Sequence, residues 1–256
     1  MNRRLYALHR WISAVAFVQL AAWTLSGTFF AVVPIERVRG AGVEGAHRRT
    51  IPDRGGQVGA AEALERARQA GVTGASSVEL RAMAAGVFYL VSDGERALRL
   101  DANTGRPAPV TKEEAVATAR RDQAGAPPVE SAMLIEREPD IEYRDKPLPA
   151  WQVRLVDDSR TVVYVDATTG DVTARRSDLW RWYDFLWSLH IMDYGGRDDF
   201  NHPLLVAAAL LALLTVMSGI TIWCIRLVRW LGRRRRRGGS AQVHQGRGLN
   251  SSDRTP

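Results

Sequence analysis

The sequence has a single cysteine and little that marks a soluble enzyme. Cys224 lies inside an apolar run, so the chain has neither a disulfide framework nor a CxxC metal or redox motif. The G-x-S-x-G nucleophile elbow of α/β-hydrolases and the P-loop of nucleotide-binding proteins are also missing. We therefore do not expect catalysis by this protein alone, and its compartment has to be inferred from the topology of the chain.

Lysine is scarce as well. Only Lys112 and Lys146 occur, so the formal net charge of +7 comes from arginine. Much of that charge is local, because Arg226, Arg229 and the run at 233–237 directly follow an apolar segment. Arginines in this position are typical of a topology anchor that also meets anionic lipid, so we do not expect a nucleic-acid partner.

Two long runs contain no charge at all. Residues 11–33 and 203–225 are each 23 residues long, and as helices each would reach roughly 34 Å, enough to cross a hydrocarbon core. A buried helix of a soluble protein is the alternative, but two uncharged runs of this length favour membrane spans. The first run exceeds the apolar stretch of about 7–15 residues of a signal peptide, so we expect an uncleaved anchor.

The arginines at the two ends predict the orientation. Arg3, Arg4 and Arg10 precede the first span and the arginine run follows the second. Under the positive-inside rule both termini face the cytoplasm. The sequence thus predicts a two-pass protein of the inner (cytoplasmic) membrane, with the segment between the spans in the periplasm. The basic tail at 226–256 is expected to be cytoplasmic and, from its polar, glycine-rich end, disordered.

The segment between the spans contains one pattern twice. After a linker at 34–59, a stretch with helical periodicity and several strand-like runs fill 60–110, and the same order recurs in 111–178. Thr111 and Glu114 have the spacing of a capping box at the second helix start. The two halves end in the turns "LDANTG" and "VDATTG". This order predicts an α+β fold of two tandem helix-plus-antiparallel-sheet units between two transmembrane helices, followed by an interfacial aromatic segment at 179–202.

These features resemble the PepSY domain. The helices "EAL..A" and "EEAV..A", each followed by strands that end in "D..TG", carry the likeness. The flanking "LHRW", "SLHIMDY" and "SGITIW" resemble the PepSY-associated transmembrane proteins. The resemblance implies an extracytoplasmic PepSY module that is often linked to iron or siderophore physiology. It also implies b-type haem on transmembrane histidines in larger relatives with more spans, and PepSY modules are associated with the inhibition of peptidases.

Three histidines near the spans are candidate haem ligands: His9, His190 and His202. Haem iron between two histidines needs both imidazoles at one depth. About 36 Å of helix separates His9 from Val33 at the outer end of the first span, and His202 lies at the outer end of the second, so His9 and His202 cannot share an iron. His190 and His202 could approach each other by folding at 195–196, and a two-fold dimer would bring two copies of one histidine together. The alternative is a polar role among the aromatic residues of the membrane interface.

Two further features have ordinary explanations. Asp193, Asp198 and Asp199 could hold a hard cation, but their spacing matches no EF-hand loop and indicates a solvated turn, so no metal site is predicted. Each span also carries a Ser-Gly pair, at 26–27 and 218–219, and small residues allow transmembrane helices to pack closely within the chain or in a homodimer.

The sequence therefore favours a membrane-anchored binding or regulatory module without catalysis of its own. Its expected partners are the lipid bilayer and a membrane or periplasmic protein, which an exposed strand edge could bind. The module would serve an iron- or metal-related system of the cell envelope. The alternative function is a haem-b electron carrier that uses His9, His190 or His202.

Overall fold

The computed structural model describes residues 3–40, 56–83, 85–137 and 139–247. The chain divides into two compact units, one of Met1–Gly27 with Ser188–Pro256 and one of Thr28–Trp187. The helices are α1 Arg3–Val32, α2 Ile35–Val38, α3 Ala60–Gln69, α4 Lys112–Asp122, α5 Asp178–Ile191 and α6 Pro203–Arg247, with a 3₁₀ turn at Ile141–Tyr143. The strands are β1 Ser77–Ala82, β2 Val87–Ser92, β3 Ala97–Asp101, β4 Val129–Ile135, β5 Ala150–Leu155, β6 Val162–Asp166 and β7 Val172–Arg176.

Helices α1 and α6 contain the two apolar runs. Tyr6–Val32 and Pro203–Arg233 are long and apolar enough to cross a membrane. Large apolar side chains such as Val18, Leu213 and Met217 are more than half exposed, which suits contact with lipid rather than with water. Helix α6 runs past the apolar span to Arg247.

The first half of the larger unit is a three-stranded antiparallel sheet with the order β1-β2-β3. Helix α3 covers one face and buries Ala63 and Ala67 against Val91 and Leu100. The alanines fit this role because a small side chain lets the helix lie close to the sheet. The sheet ends in the predicted turn, where the carboxylate of Asp101 accepts hydrogen bonds from two backbone N–H groups.

The second half is a four-stranded antiparallel sheet with the order β4-β5-β6-β7. Helix α4 covers one face, burying alanines against Val153 and Val163. The opposite face is covered by the segment that contains the 3₁₀ turn, where the ring of Tyr143 stacks on that of Tyr164 at 4.4 Å between centroids. The two sheets and the two apolar helices confirm the predicted α+β fold class.

At the start of α4, only one of the two hydrogen bonds of the predicted capping box forms. The Thr111 hydroxyl accepts from the backbone N–H of Glu114, at 3.2 Å. The Glu114 carboxylate does not turn back to the cap, and instead accepts from the buried guanidinium of Arg99 on β3, at 2.7 Å. A buried arginine needs a carboxylate more than an exposed helix start does, because unpaired charge is costly away from water.

Candidate functional site

His9 lies near the start of α1 and contacts the second apolar helix. Its Nδ1 is 2.7 Å from the hydroxyl oxygen of Ser218 and 3.4 Å from that of Ser13, one turn further along α1. A Cβ added at Gly219 would lie 3.4 Å from the ring carbon Cε1 of His9. Glycine at this position therefore leaves room for the imidazole, and the serine beside it supplies the polar partner.

His190 lies in the last turn of α5 and makes the matching contact with the other Ser-Gly pair. Its Nδ1 is 2.8 Å from the hydroxyl oxygen of Ser26, which is fully buried. The indole N–H of Trp23 donates to the His190 carbonyl at 2.7 Å. Burial lowers the pKa of His190 because it disfavours the charged imidazolium. Ser26 and Trp23 thus fix the ring and the carbonyl of His190 at the end of α5.

His202 has a different role, since it caps the N-terminus of α6. Its Nδ1 accepts from the backbone N–H of Leu205 at 3.4 Å, and its Nε2 lies 2.8 Å from the carbonyl oxygen of Ile191. A carbonyl can only accept, so Nε2 carries the proton in this arrangement. Both ring nitrogens of His202 are then engaged by the backbone, and neither is left for a metal.

The three predicted ligands do not form one centre within a single chain. The partners of His9 and His190 show their separation, because His190 contacts Ser26, which is 17 residues along α1 from His9. That spacing corresponds to about 25 Å of helix, too far for one haem iron. Within the described ranges, no group of three or more histidine, cysteine, aspartate or glutamate side chains could hold a metal ion. Within one copy His9 therefore cannot share an iron with His190, whereas His202 lies beside His190, with its Nε2 at 2.8 Å from the carbonyl oxygen of the next residue, Ile191.

The acidic segment after α5 is a turn organised by one carboxylate. Asp193 accepts through Oδ1 from the backbone N–H groups of Gly195 and Gly196, and through Oδ2 from those of Asp198 and Asp199, at 3.1–3.3 Å. Desolvation acts to raise the pKa of Asp193, but these backbone hydrogen bonds outweigh it and lower the pKa. The Asp193 carboxylate is thus engaged in holding the chain reversal.

Sequence reasoning missed the two serines as histidine partners. The Ser-Gly pairs were interpreted only as small residues for helix packing, whereas Ser26 and Ser218 each bind an imidazole nitrogen. The signal was present in the sequence, because both spans carry the same dipeptide. It did not indicate which histidine each serine would meet.

The sheets offer a second candidate site at their edges. The outer edge of β3 is covered by the chain that follows it, through a bridge between Leu100 and Pro107. Among the described residues β4 pairs with β5 alone, and it exposes Met133 by 60% and Leu134 by 37%. An edge strand with apolar side chains is a surface on which another strand can pair.

The fold and these sites define a class of protein: an α+β module attached to helices that cross a membrane. The family model of the PepSY-associated TM region matches residues 70–245. The chain belongs to this family and is a membrane protein that carries a PepSY module, as the sequence predicted. Comparison with curated proteins and with solved structures gave no match.

Proposed function

We propose that this protein displays its double-sheet unit on the periplasmic side of the inner membrane and binds a peptide or protein partner through β4. The observation that carries the proposal is the single neighbour of β4 combined with its exposed Met133 and Leu134. A partner segment in extended conformation would hydrogen-bond the open edge and cover these side chains. The partner would belong to an iron- or metal-related system of the envelope, as the family resemblance implies.

Site-specific photocrosslinking in growing cells tests this surface. A photoreactive residue at position 133 should trap an envelope protein, and one at position 156 should not. Val156 is the matched control because it is also exposed, by 57%, and directly follows β5 of the same sheet. A Leu134→Lys substitution should remove the adduct formed at position 133, since a charge on an edge strand opposes pairing. Equal adducts at 133 and 156 would contradict the proposal.

The orientation is tested separately. A reporter enzyme that is active only outside the cytosol, fused near residue 120, should be active, and the same reporter fused after the arginine run should be inactive. Activity at the second position alone would reverse the proposed topology.

A second candidate function is haem-b electron transfer, and one observation favours it. His9 and His190 are each held at Nδ1 by a serine hydroxyl, and a hydrogen bond on one ring nitrogen orients an imidazole for ligation through the other. Because the two rings lie far apart, a haem would need the same histidine from two copies. The absorption spectrum of detergent-purified protein tests this. A Soret band that is lost on His190→Ala or His9→Ala supports the carrier, and a colourless preparation from haem-replete cells speaks against it.

A further inference from the structure

We propose that the outward face of α5, together with Arg160, binds a phospholipid from the bilayer that the chain spans. The binding residues surround an open cleft of about 380 Å³ on the larger unit, lined by Arg160, Asp178, Arg181, Trp182 and Phe185. The inference depends on the membrane assignment and not on the proposed partner of β4.

Two contacts on one side of α5 set its depth. The Tyr183 ring lies 4.7 Å from that of Phe30, and the Trp187 ring lies 6.0 Å from it, between centroids. Phe30 is in the last turn of the apolar span Tyr6–Val32. Helix α5 therefore lies at the level where this span leaves the hydrocarbon, which is the level of the lipid headgroups.

Ion pairs on another side of α5 set its rotation. Arg181 donates to both carboxylate oxygens of Glu142, at 2.7 and 3.1 Å. Asp184, which is 4% exposed, accepts from Arg144 at 2.6 Å. With one side against Phe30 and another against the segment of the 3₁₀ turn, the helix has only its remaining face to present outward.

That remaining face is aromatic. Trp182 is 62% and Phe185 47% exposed, and their rings meet edge to face at 6.0 Å. Tryptophan at this depth is typical of the membrane interface, where its ring meets acyl chains and its N–H meets polar groups. Exposed aromatic side chains at this level meet the upper acyl chains of a bilayer, so lipid is the occupant that the position favours.

Arginine lies beside the aromatic pair. Arg160 donates to Asp178, yet its side chain is 79% exposed. Arg181 is held in the same cleft by its N–H to the carbonyl oxygen of Arg160 at 3.0 Å. A guanidinium that still reaches solvent can bind the phosphate oxygens of a headgroup. The phosphate is thus assigned to Arg160, and the glycerol and upper acyl chain to Trp182 and Phe185.

Quenching by brominated lipid tests the aromatic half of the site. The full chain is reconstituted in phosphatidylcholine vesicles whose acyl chains carry bromine either close to the glycerol or near the chain end. The contribution of Trp182 is the difference between the parent protein and Trp182→Phe. We expect the shallow bromines to quench this contribution more strongly than the deep ones. A contribution that neither lipid quenches would place Trp182 in water or against protein and would overturn the proposal.

A titration tests the arginine half. Short-chain phosphatidylglycerol is added to the full chain in detergent and the Trp182 emission is followed. Arg160→Gln should weaken the apparent affinity roughly fivefold, the effect of one arginine at a lipid surface. Arg160→Lys, which keeps the charge, should bind nearly as the parent does. The control is Arg121→Gln, because Arg121 is an exposed arginine on α4.

Two results of the titration would refute the site. Equal affinity of Arg160→Gln and Arg160→Lys would show that the charge has no part in binding. Inorganic phosphate that changes the Trp182 emission at the same concentration as the lipid would indicate a simple anion site. If inorganic phosphate has no effect and Arg160→Gln weakens the apparent affinity for the lipid, the results would support a phospholipid site.

Discussion

Removal of the charge on Glu114 should destabilise the double-sheet unit, because it leaves a buried arginine without its carboxylate. The Arg99 side chain is 1% and the Glu114 side chain 9% exposed. Within the described residues, Nε and Nη1 of Arg99 have no hydrogen-bond partner, and the guanidinium lies 3.6 Å from the centroid of the Phe88 ring. Loss of one partner of a buried pair costs about 3–5 kcal/mol. Glu114→Gln keeps the shape of the side chain and one acceptor oxygen, so we expect the free energy of unfolding to fall by about 3 kcal/mol.

Pulse proteolysis of the detergent-solubilised full chain in urea would measure this loss, since it reports the unfolded fraction of the unit that protrudes from the micelle. Glu113→Gln is the matched control, because Glu113 is the exposed neighbour on the same helix and should change stability by less than about 0.5 kcal/mol. The double variant Arg99→Met/Glu114→Gln should recover part of the loss, as buried pairs can be replaced by apolar groups of similar volume. If Glu114→Gln unfolds at the urea concentration of the parent, the pair does not stabilise the unit.

Three other substitutions have expected outcomes. Burial raises the pKa of Tyr164 to about 12, above its value of about 10 in the unfolded chain. The stability that Tyr164 contributes should therefore be fully present below about pH 10 and fall as the pH rises to about 12. Tyr164→Phe should remove this fall in unfolding curves measured at alkaline pH. Asp193→Ala should speed amide exchange in the turn after α5, whereas unchanged exchange would show that its carboxylate is dispensable. Ser218→Ala should remove the hydrogen bond to His9 and cost roughly 1 kcal/mol of stability. In a thermal shift assay it should lower the melting temperature more than the control Thr221→Ala does, because the Thr221 hydroxyl bonds a carbonyl of its own helix.

The parts of this protein that were predictable depend on neighbours in sequence. Charge-free runs at 11–33 and 203–225 identify the spans because lipid excludes charge over a fixed thickness. The repeated helix, strands and "D..TG" turn identify the two sheets because periodicity and turn chemistry are local. Thr111 as a helix cap belongs to this group, since its partner N–H lies three residues away.

The candidate sites depend on residues far apart in the chain. Ser218 lies 209 positions from His9, and Ser26 lies 164 positions from His190. The sequence by itself determined that the chain has two apolar spans, a repeated α+β unit and histidines at the ends of the spans. Only the tertiary structure decided that each Ser-Gly pair meets a histidine and that Glu114 pairs with Arg99 instead of closing its own helix cap. Such pairings depend on how the packed helices and sheets bring distant side chains together, and this packing cannot be inferred from composition and periodicity.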